Sequence, residues 1–197
     1  MRVQLPTTSE QIPRRLADGI RVLGNTCFNL YLVQGRQGSA LVEVGVSAVV
    51  DAVIEQLEAL AVSPDYLVLT HPHGDHFTGL TGLMARFPQA RLVAAAGARA
   101  FATHPKAGPK TVAEDGFMSA RLEQIGWRPG RAPLEEIRFP EEFIRVADPL
   151  DIDLGHLTLR CLPSQGHSPG SLSVHVPERR ALMTSDALGF RYLDGSF

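Results

Sequence analysis

Ten consecutive residues constrain this chain more than any others: Leu67-Val68-Leu69-Thr70-His71-Pro72-His73-Gly74-Asp75-His76. The apolar run reads as a buried strand, and it feeds directly into three histidines and an aspartate within six residues. A strand of this kind belongs inside an α/β sheet, and α/β folds gather functional side chains where strands end in loops. His71 and His73, two apart in extended chain, point the same way and can grip one ion. Gly74 lets the loop turn, so Asp75 and His76 can serve a neighbouring point. Histidine nitrogen with carboxylate oxygen suits zinc, but also iron, manganese or nickel. A surface loop that is merely histidine-rich is a poor account of three of the chain's seven histidines falling here.

The flanking sequence supports an α/β pattern. Met1 to Pro13 reads as an irregular lead-in, Ile20 to Leu23 as a short strand, and Cys27 to Val33 as another. Gly35 to Gly38 turns, and Ala40 to Val44 returns, a hairpin signal. A helix follows Gly45, with Val49, Val53, Leu57 and Leu60 at helical spacing and Ser47 as its expected N-cap. After the strand Tyr66 to Thr70 come a helix over Gly79 to Phe87 and a strand over Arg91 to Ala95. Residues 97–142 differ, being rich in Ala, Pro and Arg. They read as a helical insertion, with helices over Ala98 to Thr103 and Thr111 to Ile125, then a Pro-rich connection over Trp127 to Pro140. This segment either packs on the sheet or covers the site as a lid. The whole reads as a single domain over 1–197.

Strands resume over Phe143 to Val146, Leu150 to Ile152, Leu157 to Leu162, Leu172 to Val176 and Ala181 to Thr184. Two strand ends again carry metal-capable side chains: His167 within Gly166-His167-Ser168-Pro169-Gly170, and Asp186 after Thr184-Ser185. Taken alone, His167 reads as a loop residue and Asp186 as a helix cap. Taken with the first loop, they look like the remaining ligands of one site.

These segments together resemble the metallo-β-lactamase-fold hydrolases. His71-Pro72-His73-Gly74-Asp75-His76 matches that family's HxHxDH signature, Gly166 to Gly170 its second histidine loop, and Thr184-Ser185-Asp186 its bridging-aspartate strand end. The resemblance implies an α/β fold of the αββα sandwich type, with the site at one edge of two sheets. It implies that His71, His73 and His167 hold one metal, Asp75 and His76 a second, and that Asp186 bridges both. Two zinc ions are the implied cofactor, with iron or manganese as alternatives. The aspartate at 186 is similar to the glyoxalase II and lactonase branches. The implied chemistry is attack by metal-activated hydroxide on a small ester, thioester or lactone, with Asp75 orienting the nucleophile or taking its proton.

Two departures from the family pattern stand out. The family supplies a further histidine late in the chain, and no histidine follows Asp186. The expectation is therefore a chain lacking the C-terminal closing elements and a second metal position that is incomplete, or a short variant with one good site or a ligand from another chain. Glu43 stands where the family has an aspartate that props the histidine loop. It either does the same with a longer reach or is a charged strand-end residue. Rival readings are a mononuclear iron sulfur dioxygenase on the same scaffold, and a catalytically incomplete metal-binding domain.

Composition narrows partners. Nineteen Lys and Arg against 21 Asp and Glu give a net charge of −2, without the basic excess of a nucleic-acid binder. No stretch approaches the ~20 apolar residues of a membrane span, and the N-terminus has no apolar signal-peptide core. The expected partner is a small-molecule substrate in a cytoplasmic setting, with no nucleic acid or membrane; a homo-oligomer is left open. Cys27 and Cys161 lie in strand-like segments and read as buried free thiols. His104 reads as a solvated loop residue, and His156 and His175 as structural or exposed.

Overall fold

A computed structural model describes residues 12–188. The lead-in expected over Met1 to Pro13 falls almost wholly outside them. The first sheet has seven strands in sequence order: β1 (Arg14–Ala17), β2 (Ile20–Gly24), β3 (Asn29–Gln34), β4 (Ser39–Val42), β5 (Tyr66–Leu69), β6 (Arg91–Ala95) and β7 (Ile144–Val146). Strands β1 to β4 pair antiparallel, and β4 to β7 pair parallel. The second sheet has the order β11-β10-β9-β8, antiparallel throughout, from β8 (Leu150–Asp153), β9 (Thr158–Pro163), β10 (Leu172–Val176) and β11 (Ala181–Met183).

The period of two along each strand sorts side chains between two cores. Leu41, Leu67, Leu69, Leu92 and Ala94 face the helices, while Ala40, Val42, Val68, Val93 and Ala95 face the second sheet. That is why β5 is apolar on both faces. From the other side, Leu159, Cys161, Leu172, Val174 and Val176 close the inter-sheet core. The helices are α1 (Val50–Ala59), α2 (Gly74–Phe77), α3 (Leu80–Arg86), α4 (Ala98–Ala102) and α5 (Ala107–Gln124). All five contribute to the first core and none to the second. Helices, sheet and sheet therefore form three of the four layers of an αββα sandwich among the described residues. The described helices include none long and apolar enough to cross a membrane.

Three expectations need correction. The helix expected from Ser47 begins as a 3-10 turn (Ser47–Val49) and becomes α-helical at Val50, and Ser47 does not cap it. Its hydroxyl instead donates to Asp115, 68 residues away. Cys27 is exposed, because the Asn25 side chain accepts from the Cys27 and Phe28 backbone N–H groups and holds a turn there. The strand starts only at Asn29, whereas Cys161 is buried as expected. The histidine loop is not open chain after His73, since Gly74 to Phe77 forms one helical turn.

Candidate metal centre

Adjacent parallel strands β4 and β5 end side by side, which brings Glu43, just beyond β4, next to the histidine loop. The second sheet arrives at the same edge. The Leu172 N–H donates to the Thr70 carbonyl at 2.6 Å, tying the start of β10 to the end of β5. Close approach of the two loops depends on Gly170, where an added Cβ would lie 2.9 Å from both Ala98 Cα and the Pro72 ring. The loop carrying His167 thereby sits against the loop carrying His71 and His73.

The inner atoms converge on two neighbouring points. His167 Nε2 lies 3.2 Å from His71 Nε2 and 3.0 Å from His73 Nδ1. One lone pair on His167 cannot accept two such bonds well, whereas three nitrogens can all give lone pairs to one cation. The edge of a zinc tetrahedron with 2.0–2.1 Å bonds is about 3.3 Å, close to these separations. The second point is framed by His76 Nε2, 3.5 Å from Asp75 Oδ2 and 3.5 Å from Asp186 Oδ1. The other oxygen of Asp186, Oδ2, is 3.5 Å from His167 Nε2 and 3.7 Å from His71 Nε2. Asp186 thus offers one oxygen to each side. His71, His73 and His167 form one grouping able to hold a metal, and His71, His76 and Asp186 another. Asp75 belongs to neither grouping and approaches only through His76.

A ring of hydrogen bonds fixes these side chains from behind. Glu43, 6% exposed, accepts a hydrogen bond from the Thr70 hydroxyl at 2.6 Å and pairs with His76 Nδ1 at 3.0 Å. Its carboxylate turns His76 so that Nε2 faces inward, and the reading of Glu43 as a prop describes its geometry. His71 Nδ1 lies 3.3 Å from Ser185 Oγ and 3.4 Å from Thr70 Oγ1, so a proton there leaves Nε2 free on the inner side. Glu43 and Ser185 both hold positive φ, 74° and 48°, a conformation that costs a non-glycine residue of order 1 kcal/mol and clusters at functional sites.

Electrostatics divide the two points. Burial and the neighbouring His76, His73 and His167 drive the His71 pKa down to about 2, so this imidazole stays neutral and able to bind. Burial and the charge of His167 lower His73 as well. Burial works the same way on His76, but the Glu43 charge and hydrogen bonds to Asp75 and Glu43 overcome it and raise its pKa to about 11. Asp75 would be raised by burial, yet the His76 hydrogen bond and charge pull it below the usual carboxylate range.

The remaining histidines lie elsewhere. His104 is exposed and accepts from the Lys106 N–H, and the buried His156 Nδ1 has no partner among the described residues. Several residues of the site carried no clear signal in the sequence. Thr70 and Ser185 adjoin ligand candidates and could have been suspected on that ground. Phe101, whose ring centroid is 5.5 Å from that of His73, comes from α4 and had none.

Two sheets packed face to face, with a histidine–aspartate cluster across their common edge, define an α/β sandwich fitted to bind metal. Residues 29–193 match the metallo-beta-lactamase superfamily, and the chain belongs to it. A 42-residue stretch is 48% identical to a hydroxyacylglutathione hydrolase of Aeromonas hydrophila, covering 21% of this chain and 16% of that protein. Solved structures share the fold. An archaeal metallo-beta-lactamase superfamily protein from Sulfolobus tokodaii aligns with TM-score 0.64 and 24% identity over 90% of this chain and 66% of its own. A HARLDQ-motif metallo-beta-lactamase mutant from Cronobacter sakazakii aligns with TM-score 0.57 and 23% identity over 83% and 58%. The chain thus spans about three-fifths to two-thirds of these structures.

Proposed function

We propose that this protein is a metal-dependent hydrolase acting on a small ester, thioester or lactone. The observation that carries the reading is the convergence of His71 Nε2 and His73 Nδ1 on His167 Nε2, at 3.2 and 3.0 Å, with Asp186 turned to both sides. Similarity to a hydroxyacylglutathione hydrolase over 42 residues supports the choice of an acyl substrate. Divalent metal held there would lower the pKa of a water toward neutrality and polarise a carbonyl.

The chain's own groups supply the rest. His71, His73 and His167 would hold a metal at the first position, while Asp75, His76 and Asp186 would frame a second. Asp75 is more exposed than its partner His76, and a carboxylate so placed can orient a water and accept its proton. Phe101 forms an apolar wall beside His73, against which the acyl part of a substrate can rest. Fixed placement of these groups spares reorganisation when charge develops.

Elemental analysis of purified protein, followed by a panel of ester, thioester and lactone substrates, tests the proposal. Tightly bound zinc with hydrolysis that disappears in His73→Ala is the expected result. Absence of bound transition metal, with esterase activity unchanged in His73→Ala, would sink it. Iron accompanied by oxygen uptake on a persulfide would instead establish the oxidative reading.

A further inference from the structure

Asp115 on α5 is wholly buried, yet the metal centre makes no direct use of it. Four donors converge on its carboxylate: Thr78 Oγ1 at 2.5 Å, Ser47 Oγ at 2.6 Å, the Leu134 N–H at 2.9 Å and the Ser47 N–H at 3.1 Å. These donors come from three separate segments. Ser47 closes the loop that begins at Glu43, Thr78 terminates α2, and Leu134 lies in the long connection after α5. A buried carboxylate is costly to leave without partners, so this arrangement is held as a unit.

Placement gives the cluster its meaning. Helix α2 carries Asp75 and His76 and has no side-chain cap at its start. Thr78 at its end sits within reach of the Gly74 carbonyl as well as Asp115, at 2.9 Å and 2.5 Å. With one hydroxyl proton, Thr78 favours the charged acceptor. The two loops are also joined directly, by the Gly79 N–H on the Gly45 carbonyl at 2.9 Å. Gly79 permits this, since a Cβ there would run into the Val44 carbonyl oxygen. Asp115 therefore locks the base of both loops whose tips meet as Glu43 and His76.

We propose that Asp115 is a positioning residue for the Asp75–His76–Asp186 side of the centre, acting through Thr78 and Ser47. The proposal rests on the reading that this side holds a second metal. His71 and His167 lie outside the cluster's reach, since His71 follows β5 directly and His167 comes from the second sheet; His73 precedes α2, at the end of the turn away from Thr78. Loosening Asp115 should thus weaken one metal position and spare the other. A carboxylate that only fastened α5 to the sheet would lower thermal stability without this asymmetry.

The test is titration of chelator-stripped protein with cobalt(II), followed by visible absorption and metal content, beside melting curves of the stripped protein. The variants are Asp115→Asn, Thr78→Val and Thr78→Ser. Wild type should take two ions per chain. Asp115→Asn and Thr78→Val should bind the first with unchanged affinity and the second about 10–100-fold more weakly, the range seen when outer partners of metal ligands are changed. Thr78→Ser, which keeps the hydroxyl, should restore the second. Unchanged second-ion affinity in Thr78→Val and Asp115→Asn overturns the proposal while leaving the hydrolase reading intact, as does equal weakening of both ions. A wild type that takes a single ion overturns the two-metal reading itself, and this proposal with it.

Discussion

The two sides of the proposed centre adjoin at His71 and Asp186, but they are built on opposite principles. The His71–His73–His167 side draws on both sheets, is all nitrogen, and has at its buried end an imidazole, His71, that burial and its histidine neighbours keep neutral. The Asp75–His76–Asp186 side draws mainly on one helical turn, and His76 there holds its proton to about 11 between Glu43 and Asp75. The first side offers the free lone pair of His71. The second is an ion pair that a metal must break, displacing a proton as it binds. The difference teaches that adjacency does not equalise affinity: the first position should fill at lower metal concentration and lower pH.

Replacing His167 by Ala should break the comparison most sharply. His167 is a loop residue with an exposed side, so the fold tolerates its loss, yet the first grouping loses one of three nitrogens. Metal content by elemental analysis should fall to at most one ion per chain, with hydrolysis near background. Glu43→Gln should act on the other side. His76 loses the charged partner of its Nδ1, so the second ion should weaken about 10–100-fold while the first is unaffected, as read by competition with a coloured chelator.

A smaller effect should appear in the pH dependence of the stripped protein. His71 is depressed in the fold, so between about 2 and its ordinary value of 6.5 the unfolded chain binds more protons, and stability falls as pH drops through that window. His76 is raised, so between 6.5 and about 11 the folded chain binds more, and stability falls as pH rises. Melting temperature should therefore peak near neutral pH, and Glu43→Gln should flatten the alkaline limb alone. The smallest effect is expected from Gly170→Ala. The added methyl pushes the His167 loop from Pro72 and Ala98, so first-ion affinity should drop several-fold with the second little changed.

Much of this could be read from particular residues. The doubly apolar β5 announced an interior strand because its two faces meet different cores. His71 and His73 were legible because extended spacing needs no tertiary information. Other features depend on distant partners. Ser47 has the right chemistry to cap a helix, but Asp115 claims its hydroxyl, and no local pattern reports a partner 68 residues off. Cys27 looked like part of a strand because its neighbours are apolar, whereas one Asn25 side chain bends the backbone before the ladder starts. Helix α2 is too short for any periodicity to show.

The bond from Leu172 N–H to the Thr70 carbonyl is the seam where the two sheets join at the centre. His71 and His167, on its two sides, are 96 positions apart. A cation gripped by both would act as a reversible cross-link closing a long loop. A covalent link over a loop of that size confines the unfolded chain by roughly 4–5 kcal/mol. Removing the ion would therefore do more than silence chemistry. It would loosen the hold of the second sheet on the first at this edge and lower the stability of the sandwich that their shared core otherwise holds together.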